Sequence, residues 1–111
     1  MEIKNHVEGT TCIVSPRGQL DALTGPTLNQ HFQEKLNDYK HLVLDLSAID
    51  FVSSAGLRVL LGTVKEARRL SGDLRLAAVN PDVKKVLSVS GFDRLLKIFD
   101  DVQTAILSYA E

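Results

Sequence analysis

The sequence predicts an α/β domain with a mixed, mostly parallel β-sheet, an N-terminal hairpin and about four helices. Short apolar runs that are typical of strands alternate with longer segments whose apolar residues recur every three or four positions. Such alternation favours a parallel sheet with right-handed crossovers. The chain has 111 residues, enough for one domain and too few for two. We therefore expect residues 1–111 to form a single domain.

The start of the chain predicts the hairpin and the first helix. Residues 2–7 and 10–17 are β-rich runs separated by a glycine, which suits a turn. Thr24 or Gly25 can cap the helix that follows, and Pro26 suits its first helical position. The residues that recur every four positions and predict one buried stripe are Leu28, Phe32 and Leu36.

The middle of the chain predicts a central strand and a long helix. Residues 42–46 form a near-continuous apolar run, typical of a strand that is covered on both faces. The helix after Ser54 is expected to reach about Leu70, with Gly72 as the glycine just beyond its end. Its predicted apolar arc comprises Gly56, Leu57, Val59, Leu60, Leu61, Val64, Ala67 and Leu70.

The last third of the chain predicts two more strand and helix pairs. Residues 74–79 read as a strand, and Asn80 is a good N-cap for a helix that has proline at its first position. This helix is expected to end at Gly91. A short edge strand at 98–99 and a last helix, capped by one of the aspartates at 100–101, complete the sheet.

Composition and charge exclude several classes of protein. Hydrophobic residues make up 44% of the chain and charged residues 24%, as in folded globular domains. A net charge of −1 gives no electrostatic basis for binding nucleic acid or a membrane. No apolar run approaches the roughly 20 residues that span a bilayer, and no signal-peptide core is evident. With one cysteine, Cys12, the protein is expected in the cytoplasm without an internal disulfide.

The most informative segment is the pair Ser53 and Ser54, which follows a short apolar run and opens the long helix. The first N–H groups of a helix lack intrahelical partners and carry partial positive charge. Either hydroxyl could cap the helix, and a phosphate at the same place would be tolerated. The segment therefore predicts a helix cap that can also serve as a phosphorylation switch.

Catalysis is not expected at this pair of serines. Ser54-Ala55-Gly56 resembles the second half of a Gly-x-Ser-x-Gly nucleophile elbow, but Val52 stands where the first glycine belongs. None of the three histidines has an evident route to the serine, and their spacing does not suit metal ligation. No glycine-rich phosphate-binding loop is present. We predict no catalytic residue, no metal and no cofactor.

Three blocks in a fixed order make the chain recognisable. They are Gly18-Gln19-Leu20-Asp21, the stretch from Leu42 to Leu57 around the two serines, and Asn80-Pro81 with the segment from Leu87 to Phe92. Their ordered set resembles the STAS domain, the fold of anti-sigma factor antagonists, and the resemblance covers essentially the whole chain. In that family the first block is a turn before the first helix.

The resemblance implies a regulatory protein rather than an enzyme. Unphosphorylated members bind and sequester a serine kinase that doubles as an anti-sigma factor; phosphorylation by that kinase ends the binding, and a metal-dependent serine phosphatase restores it. The client of this partner switching could be a sigma factor, a secretion system or a signalling enzyme. The alternative is a STAS scaffold or transport-associated docking module that is never phosphorylated.

The segment departs from the family's usual Asp-Ser-Ser/Thr-Gly-Leu-Gly pattern. Ala55 stands in the usual acceptor position and Ser53 in the aspartate position, while Ser54 matches the first serine. In family members that carry Ser-Ser-Ala-Gly, the serine directly before alanine looks like the residue that accepts the phosphate. We therefore expect phosphorylation at Ser54, with Ser53 as the reserve site. Arg58 replaces the second glycine and adds a cation nearby.

Further residues are expected to complete the site and its partner surface. Those expected to shape the site are Asp21, Asp45 and Gly56. Those expected to bind the partner, from the polar arc of the long helix, are Arg58, Lys65 and Arg69. Because no long exposed apolar edge is evident apart from the hairpin, we expect a monomer.

Overall fold

Strands and helices alternate along the chain in the computed structural model, which describes residues 1–110. The strands of this part are β1 (Glu2–Glu8), β2 (Thr11–Leu20), β3 (His41–Asp45), β4 (Ile49–Val52), β5 (Asp73–Ala77) and β6 (Lys97–Phe99). Its α-helices are α1 (Gly25–Leu36), α2 (Ser54–Arg69), α3 (Pro81–Val89) and α4 (Val102–Ser108), with a 3₁₀ turn at Phe92–Arg94. The predicted α/β class is confirmed.

The sheet is mixed, with strand order β1-β2-β3-β5-β6. β1 pairs antiparallel with β2, whereas the pairings of β2 with β3, β3 with β5 and β5 with β6 are parallel. The strand β3 therefore lies in the middle of the sheet, as expected for a near-continuous apolar run. The predicted N-terminal hairpin and the mostly parallel sheet are both confirmed.

One strand is absent from the predicted order, which has a single strand between α1 and α2. β4 lies there as a second strand and pairs with the far end of β2. Gly18 makes this possible: at φ +110° it carries a register shift, after which β2 leaves β3 and follows β4. The turn expected over Gly18–Asp21 was therefore placed too early, because residues 18–20 are still strand.

Helices cover the two faces of the sheet unequally. The front face carries α1, α2 and α3, whose buried leucines, valines and Phe32 form the main core with the inward residues of the strands. The back face carries α4 alone, over a smaller cluster of Ile13, Val43, Ala77 and Ala105. Leu42 and Leu44 face the front and Val43 the back, so β3 is covered on both sides as predicted.

The end of α2 differs from its prediction. Leu70 is the C-cap, and Ser71 rather than Gly72 takes the left-handed backbone conformation, with φ 67°. Ser71 N–H donates to Arg68 and Gly72 N–H to Ala67, the pair of bonds that defines a Schellman ending. Gly72 is required for a different reason, since a Cβ there would lie 2.0 Å from the Lys40 carbonyl oxygen.

Other helix boundaries agree closely with the sequence. Asn80 and Asp101 are N-caps whose side chains accept from Val83 and Thr104 N–H, and Gly91 follows α3 in the left-handed region. Thr24 is the N-cap residue of α1, so Gly25 takes the first helical position, where Pro26 was expected.

Candidate functional site

The junction of β4 and α2 gives the two serines different environments. Ser53 is the N-cap: its backbone is extended, and its hydroxyl oxygen accepts a hydrogen bond from Gly56 N–H at 3.2 Å. Its own N–H donates to the Leu20 carbonyl at 2.9 Å, and the residue is half-buried. The hydroxyl and the N–H of Ser53 are therefore both used in hydrogen bonds that stabilise the junction.

Ser54 is the first residue of α2 and is exposed. Its hydroxyl has no hydrogen-bond partner within residues 1–110, and the N–H groups of Ser54 and Ala55 have no acceptor there. Unpaired N–H groups and the helix dipole favour negative charge at this end. Ser54 thus combines an accessible hydroxyl with surroundings that suit an anion.

Gly56 sets how closely α2 approaches β2. A Cβ at this position would lie 2.6 Å from the Leu20 carbonyl oxygen and 2.8 Å from Leu20 Cγ. Only glycine lets the first turn of α2 lie against the end of β2, where Ser53 also binds the same carbonyl. The absence of a side chain at Gly56 therefore sets the geometry of this junction.

The loop between β2 and α1 is ordered by Asp21. One carboxylate oxygen accepts from Leu23 N–H at 2.9 Å and from Thr24 N–H at 3.1 Å. The Thr24 hydroxyl donates to Gln19 carbonyl and accepts from Asp21 N–H, so it is turned away from capping α1. The bonds from Thr24 N–H and then Leu23 N–H hold the pKa of Asp21 below its usual value.

This ordered loop and the start of α2 form the two sides of a shallow groove. Its lining residues are Asp21, Ala22, Gly25, Pro26, Asn29, Ala55, Arg58 and Val59. Next to the groove the loop presents Leu23, whose surface is 88% exposed. Leu23 was not predicted as a site residue, although a leucine in the turn between Asp21 and Gly25 was a visible signal in the sequence.

Some of the predicted site residues are not brought to this junction. Asp45 lies at the end of β3 on the back face, where it accepts from the Ser15 hydroxyl and from Ser47 N–H. Lys65 is eleven residues after Ser54, about 16 Å along the helix. Arg69 is engaged by Glu66 at 2.6 Å. Of the three predicted partner-binding cations, Arg58 is the one beside the serines.

A polar cluster that the sequence did not predict lies at the opposite end of the sheet. Asp73 is buried and bridges Arg68 and Arg75, each at 3.1 Å. Arg75 also covers the ring of Tyr109, which stacks on His41. The Tyr109 hydroxyl lies within hydrogen-bond distance of the Leu42 and Asp73 carbonyls, and burial raises its pKa. The cluster anchors the end of α4 to β3 and β5.

Two further features concern membranes and metals. None of the helices in residues 1–110 is long and apolar enough to cross a bilayer. In the same part of the chain, no three His, Cys, Asp or Glu side chains are grouped so that they could hold a metal ion.

The fold and the junction define a small α/β domain with an exposed serine hydroxyl at a helix start. The chain belongs to the STAS domain family, whose sequence profile matches residues 2–105. The expectation drawn from its three motif blocks is thereby confirmed.

Relatives by sequence carry names that agree with this family. An anti-sigma F factor antagonist of Paenibacillus polymyxa is 31% identical over 96 residues, which cover 85% of this chain and 82% of that protein. BtrV of Bordetella bronchiseptica, provisionally assigned as an anti-sigma factor antagonist, is 36% identical over 70 residues. That match spans 63% of this chain and 60% of the Bordetella protein.

A solved structure agrees over almost the whole chain. The crystal structure of a Thermotoga maritima protein, also provisionally assigned as an anti-sigma factor antagonist, superposes with a TM-score of 0.92 at 25% identity. The superposition covers 98% of this chain and 95% of the Thermotoga protein. The observed architecture is therefore shared with that structure over almost its whole length.

Proposed function

We propose that this chain is an anti-sigma factor antagonist that is switched by phosphorylation of Ser54. In its unphosphorylated form it binds and sequesters a serine kinase that acts as an anti-sigma factor. Phosphorylation by that kinase releases the complex, and a metal-dependent serine phosphatase resets the switch. The names of the Paenibacillus and Bordetella relatives support the antagonist role.

The observation that carries the proposal is that Ser53 and Ser54 have different roles at the start of α2. Ser53 is half-buried and its oxygen already accepts from Gly56 N–H, so a phosphate on Ser53 would displace the cap. Ser54 is exposed, and its modification breaks no hydrogen bond within residues 1–110. A kinase can therefore reach the Ser54 hydroxyl without unfolding the start of α2.

The physical effect of the phosphate is mainly on binding. A phosphoserine adds about −1.5 to −2 charges at neutral pH. The domain can hold this charge at the end of α2, because the free N–H groups there attract it. A partner packed over Ser54 would have to remove water from the phosphate, and an unpaired or like-charged contact costs several kcal/mol. Folding is thus preserved while the complex is lost.

The surface around Ser54 suits a protein partner. Leu23 stands out from a loop that Asp21 holds in shape, and Arg58 lies on the other side of the groove. An exposed apolar side chain on an ordered loop loses little entropy on binding, and a nearby cation steers an acidic partner. We expect the kinase to cover Leu23, Ser54 and Arg58 together.

The remaining parts of the proposal follow from this role. The chain acts by binding, so we assign it no catalytic residue. We place it in the cytoplasm with the kinase, as a monomer in its free form. Exposed large apolar side chains such as Leu23, Val7 and Val89 lie on different elements, which does not favour one extended dimer surface.

The test is phosphosite mapping after incubation with a serine kinase of the anti-sigma factor class from the same organism. We expect phosphate on Ser54, none in Ser54→Ala, and nearly full incorporation in Ser53→Ala. Ser54→Ala should still bind the kinase, whereas Ser54→Glu should bind markedly more weakly. If neither serine is modified and Ser54→Glu binds like the parent, the switch is refuted in favour of a scaffold that only docks its partners.

A further inference from the structure

We propose that Arg58 holds the phosphate on Ser54 within the same chain, so that one modification both adds negative charge and removes a cation from the binding surface. The biological use of this clamp rests on the proposed function. The contact itself depends only on where α2 places the two side chains.

The spacing of the two residues favours the contact. Ser54 is the first residue of α2 and Arg58 is four positions later, both exposed. Residues at i and i+4 lie on the same side of a helix with their Cβ atoms about 6 Å apart. An acidic group followed by a basic group four residues later is also the favourable order along a helix. The flexible arginine stem easily spans the remaining distance.

Arg58 is available for this contact. It forms no ion pair within residues 1–110, in contrast to Arg68, Arg69 and Arg75. The acidic side chain that lines the groove with Arg58 is Asp21, which already accepts two backbone N–H groups. The unmodified protein thus leaves the Arg58 guanidinium in water, where a partner can use it.

The phosphate would be held from two directions. From the helix end come the N–H groups of Ser54 and Ala55, which lack acceptors within the described residues. From the side comes the Arg58 guanidinium, whose planar fork can donate two parallel hydrogen bonds to phosphate oxygens. A lysine at this position would supply charge without that geometry.

The contact between Arg58 and the phosphate would strengthen the effect of phosphorylation on partner binding. Before phosphorylation the partner meets an exposed hydroxyl beside a free cation. Afterwards it meets a phosphate of about −2 charge, and the cation that could have offset this charge in the complex is already occupied. Phosphorylation therefore changes two features of this surface at once, because it adds the phosphate charge and withdraws the Arg58 guanidinium from the partner.

The test uses protein that carries phosphoserine at position 54 by genetic encoding, so that no kinase is needed. Phosphorus NMR then gives the second pKa of the phosphate in the parent, in Arg58→Gln and in Lys65→Gln. Lys65→Gln is the matched control, because it removes one exposed cation from the same helix about 16 Å from Ser54. Melting curves of the three unphosphorylated proteins establish that each is equally folded.

We expect the phosphate pKa to be higher in Arg58→Gln than in the parent by about half a unit, as for an exposed ion pair to a doubly charged group. Lys65→Gln should match the parent, and Arg58→Lys should fall between the parent and Arg58→Gln. Identical pKa values in the parent and Arg58→Gln would overturn the clamp.

A binding measurement separates the clamp from the proposed function. If a kinase binds the chain, Arg58→Gln should weaken the unphosphorylated complex and leave the residual affinity of the phosphorylated form unchanged. If no kinase binds or modifies the chain but the pKa difference is present, the clamp stands and the partner-switching function fails. An equal loss of affinity in both forms would show that Arg58 remains free after phosphorylation and would overturn the clamp.

Discussion

The Leu20 carbonyl oxygen lies 2.6 Å from the position that a Cβ atom on Gly56 would occupy. The same oxygen accepts a hydrogen bond from Ser53 N–H at 2.9 Å. One backbone group at the end of β2 therefore fixes both the N-cap of α2 and the approach of its first turn. The accessible position of Ser54 follows from this contact.

Gly56→Ala should destabilise the domain by about 1–3 kcal/mol, because the added methyl group meets a backbone atom that cannot move aside. The measurement is the free energy of unfolding in denaturant. Gly62→Ala is the matched control in the same helix, where a Cβ has nothing within 4 Å. It should stabilise the domain by about 0.5–1 kcal/mol. Equal effects of the two substitutions would contradict a close contact between α2 and Leu20.

The two serines should contribute unequally to stability. Ser53→Ala removes the oxygen that accepts from Gly56 N–H and should cost about 1 kcal/mol. Ser54→Ala removes a hydroxyl without a partner in the described residues and should change stability by less than about 0.5 kcal/mol. Thermal or chemical unfolding of both variants checks this. A larger loss in Ser54→Ala than in Ser53→Ala would mean that the cap has been assigned to the wrong serine.

Leu60 and Leu61 are adjacent in α2 but should contribute unequally to stability. Leu60 is fully buried, at 0% exposure, whereas Leu61 is partly exposed and lies outside the core. Leu60→Ala should cost about 2–5 kcal/mol, and Leu61→Ala about 1 kcal/mol or less. The sequence pattern had placed both on the apolar arc; Thr63 is buried in the arc instead. Similar midpoints for the two variants in denaturant would contradict this packing.

What could be predicted from the sequence was encoded locally. Caps such as Asn80 and Asp101 sit next to the N–H groups that they bind, and buried stripes such as that of α1 repeat within one helix. These features need only a few neighbouring residues. Helix starts and the apolar strands were therefore recognisable without knowledge of the tertiary structure.

What could not be predicted depends on distant contacts. β4 has its exposed residues side by side, not alternating with buried ones, and it is defined by pairing with β2 some 30 residues earlier. Asp73 is buried only because arginines and Tyr109 surround it in the folded chain. Asp45 stands near the expected edge of the sheet, but strand alternation turns it to the back face. Which serine caps α2 also depended on the fold, because Ser53 is fixed by Leu20.

Acid should weaken the loop that Asp21 holds. Hydrogen bonds from Thr24 and Leu23 N–H lower the pKa of the folded carboxyl below its unfolded value of about 3.9. The carboxylate therefore contributes stability that is fully present above the unfolded pKa and is lost as pH falls through the folded pKa. Asp21→Asn keeps an oxygen acceptor but does not titrate.

The measurement for Asp21 is the difference in unfolding free energy between the parent and Asp21→Asn across pH. This difference should shrink as pH falls from about 6 to about 3, since the parent then loses its charge as well. Glu34→Gln serves as the control, because Glu34 is exposed and its carboxylate accepts no hydrogen bond within residues 1–110. A difference that stays constant with pH would show that the Asp21 charge does not stabilise the loop.

Leu23→Ser should weaken binding to the kinase without affecting the fold. Leu23 is 88% exposed, so the unbound protein loses no core contact and its melting temperature should stay unchanged. In the complex, an apolar side chain on an ordered loop beside Ser54 should be buried at the centre of the interface, where a truncation commonly costs more than 1 kcal/mol. We therefore expect affinity to fall about tenfold, mainly through faster dissociation.

Val89→Ser is the matched control, because Val89 is 81% exposed but lies at the end of α3. A loss of affinity in Val89→Ser with none in Leu23→Ser would show that the partner binds at α3 and that Ser54 lies outside the interface.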